Sequence, residues 1–303
     1  MNDRTLRIGM IGLDTSHAPA FAELLNDPSH PHHIPGAQVT AAYPGGSSDF
    51  ELSRSRVAGF AARLRDGFGV DIAATIEEVA ERCDAVMLLS VDGRVHLEQF
   101  KRAAAYGKPV FVDKPFAVGS GDAEAMASIA AERGIPLMSC SSVRYAQGLS
   151  DAIAEEAQGA IIGADCCGPM ELQPTQPGLF WYGIHTADML YAAMGRGCRE
   201  VKAFTNDDHD EIVGVWEDGR IGTIRGNRKG NRNFCALIHR EQSSRFVDVY
   251  AHPKPYYASM LEAIVAMFRT GAAPIEMKET LEVIRFIEAA NESRRTGAAV
   301  RLS

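Results

Sequence analysis

Up to about residue 140 the chain alternates short apolar runs with segments of helical period, and no other feature limits its fold so sharply. Strands are expected at Leu6 to Ile11, Ala37 to Tyr43, Ala85 to Ser90, Pro109 to Val112 and Pro136 to Cys140, with a weaker one near Val70 to Ala73. Between them lie "APAFAELLND", "RVAGFAARLRDGF", "TIEEVAER", "VHLEQFKRAAAYG" and "GDAEAMASIAAERG", several ending in the glycine that a left-handed C-cap prefers. Nearly all-apolar strands separated by helices predict a doubly wound parallel sheet covered on both faces. Ligands of such sheets bind beyond the carboxyl ends of the strands, which brings "GLDTSH", "YPGGSS", "LLSVDGRVH" and "VDKPF" around one site.

After residue 141 the rhythm changes. Helices are expected near Leu149 to Ala157, Gly183 to Met194 and Tyr256 to Thr270, and strands at Glu200 to Phe204, Glu211 to Trp216, Arg220 to Gly226, Asn233 to His239 and Ser244 to Tyr250. Asp218-Gly219 between two extended runs is a hairpin signal. Consecutive strands imply an α+β domain on a largely antiparallel sheet, so the division expected is 1–141 and 142–303. One layer of helices covers only one face of such a sheet, which predicts a homodimer or homotetramer.

The bulk numbers narrow the partners. A net charge of -8, without a dense Lys/Arg block, argues against nucleic acid. The six-residue apolar run after the polar start is too short for a signal-peptide core or a membrane span, so a cytoplasmic protein without a membrane partner is expected. The cysteines form no CxxC pair and are expected to be reduced, with Cys166 and Cys167 on opposite faces of a strand. The loops holding His30, His32 and His33 and Asp207 to Asp210 lack distributed ligands, and no metal site is expected.

The turn "IGLDTSH" carries the sharpest question. A GxGxxG loop uses its glycines for the turn, for close approach to pyrophosphate, and for helix packing. Here those positions are Gly12, Asp14 and His17. A carboxylate about 4 Å from a phosphate is repelled by roughly 4 kcal/mol at an effective dielectric of about 20, so Asp14 is expected to weaken dinucleotide binding. Asp14, Thr15 or Ser16 also suits the helix N-cap. At the end of the second strand Tyr43 and Pro44 stand where an acidic residue would accept the ribose hydroxyls, and Gly45 to Ser48 form a cup suited to a 2′-phosphate or simply a turn. Lys114 follows the fifth strand on an Asp-Lys-Pro turn stiffened by Pro115.

Taken with "SSVRYAQGL", "YGIHTADML" and "ETLEVIRFIEAANESRRTGAAVRL", the segment "VFVDKPFAV" makes the chain resemble the glucose-fructose oxidoreductase and inositol dehydrogenase (Gfo/Idh/MocA) family over essentially its whole length. The resemblance implies a Rossmann domain that binds NAD or NADP, and a sugar or polyol substrate held between the domains. It maps the lysine of the family's Lys-Pro pair to Lys114 and the acid/base histidine to His185. The family's aspartate four residues earlier is replaced by Trp181. The candidate cofactor contacts are Gly12, Asp14, Ser16, Ser47, Ser90, His96 and Lys114; the candidate substrate contacts are Arg144, Trp181, Tyr182 and Asp188. The implied function is an NAD(P)-dependent dehydrogenase of alcohol groups. The alternative is a cofactor-poor homologue that binds a metabolite or partner without redox activity.

Overall fold

The computed structural model describes residues 4–302. The chain runs β1 (Leu6–Ile11), α1 (His17–Asn26), β2 (Ala37–Tyr43), α2 (Glu51–Phe68), β3 (Asp71–Ile72), α3 (Ile76–Arg82), β4 (Ala85–Leu88), α4 (His96–Ala104), β5 (Val110–Asp113), α5 (Ser120–Arg133) and β6 (Leu137–Cys140). It continues through α6 (Gln147–Ile153), β7 (Ile161–Pro169), α7 (Gly183–Met194), β8 (Cys198–Thr205), β9 (His209–Trp216), β10 (Ile221–Asn227), β11 (Cys235–Arg240), β12 (Ser244–Asp248), α8 (Tyr256–Thr270), α9 (Met277–Thr296) and β13 (Val300–Arg301).

The first sheet has the order β3-β2-β1-β4-β5-β6. Its registered pairs, β1 with β2 and β4, β2 with β3, and β4 with β5, are parallel. All four residues of β4 and of β5 are buried, as helices on both faces require. Strand order reverses between β1 and β4, the position at which such sheets bind ligands.

The second sheet has the order β12-β11-β7-β10-β9-β8-β13. Its pairs are antiparallel except β7 with β10, which is parallel. The Asp218-Gly219 hairpin forms as expected, with the Trp216 amide donating to the Arg220 carbonyl. Strand β7 stands outside the run of expected strands, yet it is central to the sheet. Alternation along β9 and β10 sends Ile212, Trp216 and Ile224 inward, and helix α7 is buried along nearly all its length. Trp216 is fully buried, and truncating it to alanine would cost about 3–5 kcal/mol. The six cysteines are free thiols; Cys166 is buried and its neighbour Cys167 partly exposed, on the opposite face of β7.

Contacts divide the chain into two compact units, each formed from several stretches. The first runs to Ala117 and adds Gly121–Ser139 and Tyr257–Met277; the second takes Val118–Ser120, Cys140–Tyr256 and the chain from Lys278 onward. The single break expected at residue 141 therefore gains a return crossing, because α8 packs with the first unit. There Tyr257 meets His17 and Phe21 edge-on at ring distances of 5.1 and 5.6 Å, and Arg269 donates to the Gly36 carbonyl. None of the helices among the described residues is long and apolar enough to cross a membrane.

Candidate functional site

In the first unit, the turn after β1 begins with Gly12 at φ +90°, a conformation that glycine adopts without strain. A Cβ there would stand 2.4 Å from the Ser90 backbone nitrogen, so the turn lies directly against the loop after β4. The Gly12 and Leu13 amides donate to the Tyr43 and Pro44 carbonyls, which joins the same turn to the loop after β2.

Asp14 corrects the expectation placed on it. Its carboxylate is fully buried, with one oxygen accepting from Ser53 Oγ at 2.6 Å and the other from the Val91 amide at 3.0 Å. The carboxylate is thus tied to α2 and to the β4 loop, away from the amides that open α1. Burial pushes its pKa above the usual aspartate value, and the two hydrogen bonds only partly oppose that rise. Nor does Asp14 cap α1: Ser16 is the N-cap residue and makes no side-chain cap bond. Thr15 Oγ1 instead accepts from the His17 amide at 3.3 Å.

His17, at the third glycine position, turns inward, where its Nδ1 lies 2.6 Å from Asp113 Oδ2 at the end of β5. Burial acts to raise Asp113, but the charge and hydrogen bond of His17, together with Lys114, outweigh it and hold the carboxyl below its usual range. The other Asp113 oxygen accepts from the Lys114 amide at 2.9 Å. Lys114 is only partly exposed; the surrounding protein pushes its ammonium below the usual lysine range, and the Asp113 charge opposes this. The Lys114–Pro115 peptide is cis.

Ser90 and His96, expected to face a cofactor, are instead committed to the protein. Ser90 Oγ donates to Gln99 at 2.7 Å. His96 is fully buried, its Nε2 2.7 Å from the Ser90 carbonyl and its Nδ1 3.1 Å from the Phe116 carbonyl. The imidazole therefore ties the β4 loop to the segment just past Lys114.

The loop after β2 offers more to a ligand. Gly45 and Gly46 both have positive φ. With Ser47, Ser48, Arg54 and Val57 they line an open cavity of about 450 Å³. Ser47 is 8% exposed, yet its hydroxyl has no hydrogen-bond partner in the protein, a cost of about 1–3 kcal/mol that a polar ligand would relieve. Arg54 pairs with Glu51 in an exposed contact, which holds a guanidinium only weakly. Asp49, the nearest carboxylate along this loop, is taken by both terminal nitrogens of Arg94 at 2.9 Å each.

In the second unit His185 sits on the first turn of α7, 8% exposed, between Tyr182 and Phe234 at ring distances of 5.4 Å. Its Nδ1 lies 2.6 Å from Ser141 Oγ. Ser141 is itself clamped, because its amide donates to Asp188 Oδ2 at 2.7 Å. Arg144 binds Asp188 Oδ1 at 3.1 Å and Glu279 at 2.6 Å. Burial raises the Asp188 and Glu279 carboxyls, with Arg144 opposing in both cases.

Arg144 and Asp188, expected on substrate, thus hold each other and Ser141. Trp181 is 9% exposed, its ring 6.3 Å from that of Tyr182. Ser53, Asp113, Ser141 and Glu279 were not among the expected site residues, although all but Ser53 lie inside segments that the sequence singles out. Among the described residues no cluster of three or more His, Cys, Asp or Glu is placed to hold a metal.

Residues 6–140 match the model of an oxidoreductase family with an NAD-binding Rossmann fold, Gfo/Idh/MocA. Over that first part, the chain is similar to the Gfo/Idh/MocA family. It is 28% identical over 196 residues to a 1,5-anhydro-D-fructose reductase of Ensifer adhaerens, a match that covers 60% of this chain and 59% of that relative's length. The fold is similar to that of GenD2 from gentamicin A biosynthesis, solved in complex with NAD, with TM-score 0.79, 18% identity, and coverage of 99% of this chain and 97% of that one. It is similar too to myo-inositol dehydrogenase from Lactobacillus casei, solved with NAD(H) and myo-inositol, with TM-score 0.77, 13% identity, and coverage of 99% and 97%. The doubly wound sheet and the second, mostly antiparallel sheet of this chain are thus an architecture shared with these structures.

Proposed function

We propose that the chain oxidises or reduces an alcohol group on a sugar, inositol or related polyhydroxy compound with a nicotinamide dinucleotide. The observation that carries this reading is the pair of family positions that survive: Lys114 at the end of β5, its ammonium pushed down by burial, and His185 at the start of α7, held by one ring nitrogen. An alcohol becomes a carbonyl when its carbon gives up a hydride and its oxygen a proton. The dinucleotide supplies the hydride acceptor. In this reading His185 has the acid/base role, at Nε2, and Lys114 is the positively charged group on the dinucleotide's side of the chemistry.

The residues present fit the cofactor. Asp14 is turned from the α1 amides, Ser16 leaves its hydroxyl uncommitted to a cap, and the loop after β2 offers an orphaned buried hydroxyl beside two glycines. Gly12, Ser16, Gly45, Gly46 and Ser47 are the residues we assign to hold it. The choice between its two forms follows from the same loop. Tyr43 and Pro44 replace the acidic residue that accepts ribose hydroxyls, Arg94 neutralises Asp49, and Arg54 brings a cation, so we assign NADP.

Exposed Phe204, Ile221 and Phe246 on the second sheet support self-association through that face, most simply as a homodimer. Light scattering should then give about twice the 32.8 kDa chain mass. Calorimetry with NADH and NADPH tests the cofactor. Tighter NADPH binding, lost in Arg54→Ala, is expected; no heat with either dinucleotide overturns the reading.

A further inference from the structure

We infer that Ser141, the residue after β6, is the positioning residue of His185. The inference rests on the proposed acid/base role of His185, but its geometry stands independently.

Ser141 occupies the N-cap of the short 3-10 turn Ser142–Tyr145, where a serine hydroxyl ordinarily accepts from the turn's own amides. Here it makes no such bond, and its Oγ lies 2.6 Å from His185 Nδ1 instead. Ser141 is fully buried, so this contact is shielded from water. Its backbone is immobilised as well, through the amide bond to Asp188, which Arg144 in turn ties to Glu279 on α9. Three side chains, Asp188, Arg144 and Glu279, thereby fix one hydroxyl, and the hydroxyl fixes one ring.

The chemistry follows from what a hydroxyl can do. Ser141 Oγ accepts the Nδ1 proton, which puts the basic lone pair on Nε2, the nitrogen that must accept a substrate proton. A carboxylate in the same place would add a charge to a region that already holds Asp188 and Glu279. A hydroxyl, which can accept as well as donate, holds the ring angle without that charge. It can also keep the bond when Nε2 is protonated, since both ring nitrogens are then donors. The ring therefore need not turn between the two halves of a proton transfer.

Nitrogen-15 spectra of histidine-labelled protein, with the His185 signals assigned by comparison with His185→Gln, test this directly. Wild type should show one neutral tautomer with its proton on Nδ1, and Ser141→Ala should show a mixture. With NADPH or NADP and a polyol that is turned over, Ser141→Ala should lower kcat about 10- to 100-fold, the scale of a misplaced catalytic group, with KM changed less than about threefold. Ser142→Ala, which removes the neighbouring buried hydroxyl, should leave both readouts as in wild type. A wild-type proton on Nε2 overturns the inference without any variant, and so does a folded Ser141→Ala with unchanged tautomer and kcat. If no polyol is turned over, the function reading fails, and the tautomer still decides the role of Ser141.

Discussion

The turn after β1 has lost two residues that the family resemblance leads one to expect and the approach to α7 has lost one, and the losses are absorbed in different ways. At the turn, Asp14 and His17 replace glycines, and each new side chain is drawn inward and bonded to another loop: Asp14 to Ser53 and Val91, His17 to Asp113. Just before α7, Trp181 stands where the resemblance expects an aspartate, and the ring of His185 meets a neutral hydroxyl from the residue after β6. The first region has gained buried charge, which must be paired or it costs several kcal/mol. The second has an uncharged partner for its ring. Removing a side chain from the turn should therefore be felt in stability, and removing one from α7 in turnover.

The largest test of that contrast is His185→Ala, expected to lower kcat by about 10²- to 10⁴-fold, the usual worth of a general acid/base. Its melting temperature should stay within a few degrees of wild type. A melting temperature that fell as steeply as turnover would make His185 a packing residue and erase the contrast. Next comes His17→Ala, which leaves Asp113 buried without its ring partner and should cost about 3–5 kcal/mol in denaturant unfolding. A loss under about 1 kcal/mol would show that the Lys114 amide and charge suffice for Asp113.

Ser53→Ala is a smaller break in the same region. It leaves one oxygen of buried Asp14 unpaired and also removes the acceptor of the Ser47 amide, so about 1–3 kcal/mol is expected. The smallest effect is in pH. Asp14 has a folded pKa above its unfolded value, so the native state binds the proton more readily and stability falls as pH rises from the unfolded pKa of about 4 through the folded one. Relative to Asp14→Asn, wild type should gain stability as pH is lowered through that window and show a constant difference near neutrality. Because Asp14 faces Ser53 and Val91, the same variant should change dinucleotide affinity less than about threefold; a large gain would return the carboxylate to the phosphates.

These contacts mark where sequence reading stops. Strand and helix periods are local, and β1, β2, α7 and α8 were legible to the residue because their apolar spacing is regular. Strand β7 was anticipated only at Cys166 and Cys167, without bounds, because its run "IIGADCCGP" contains two glycines that a strand interior disfavours. At Gly168 a Cβ would come within 2.4 Å of the Phe234 ring, so close packing, not propensity, selects glycine there. Asp14 and Ser53 lie 39 residues apart, and Ser141 and His185 lie 44 apart. No period joins such pairs. The residue types at the candidate site were visible in sequence, but the direction in which each side chain points was set by partners on other elements.

Helix α8 has a consequence for how the molecule is made. The first unit includes Tyr257–Met277, so it is incomplete until residue 277 has been made. A nascent chain that has just cleared residue 141 lacks Met260, Leu261, Ile264 and Met267, all buried in the mature protein. During the tens of seconds or less needed to extend it at about 5–20 residues per second, the early strands and helices wait with apolar surface uncovered, the state in which chains aggregate or recruit chaperones. Cutting the gene at the visible change of rhythm would make that waiting state permanent.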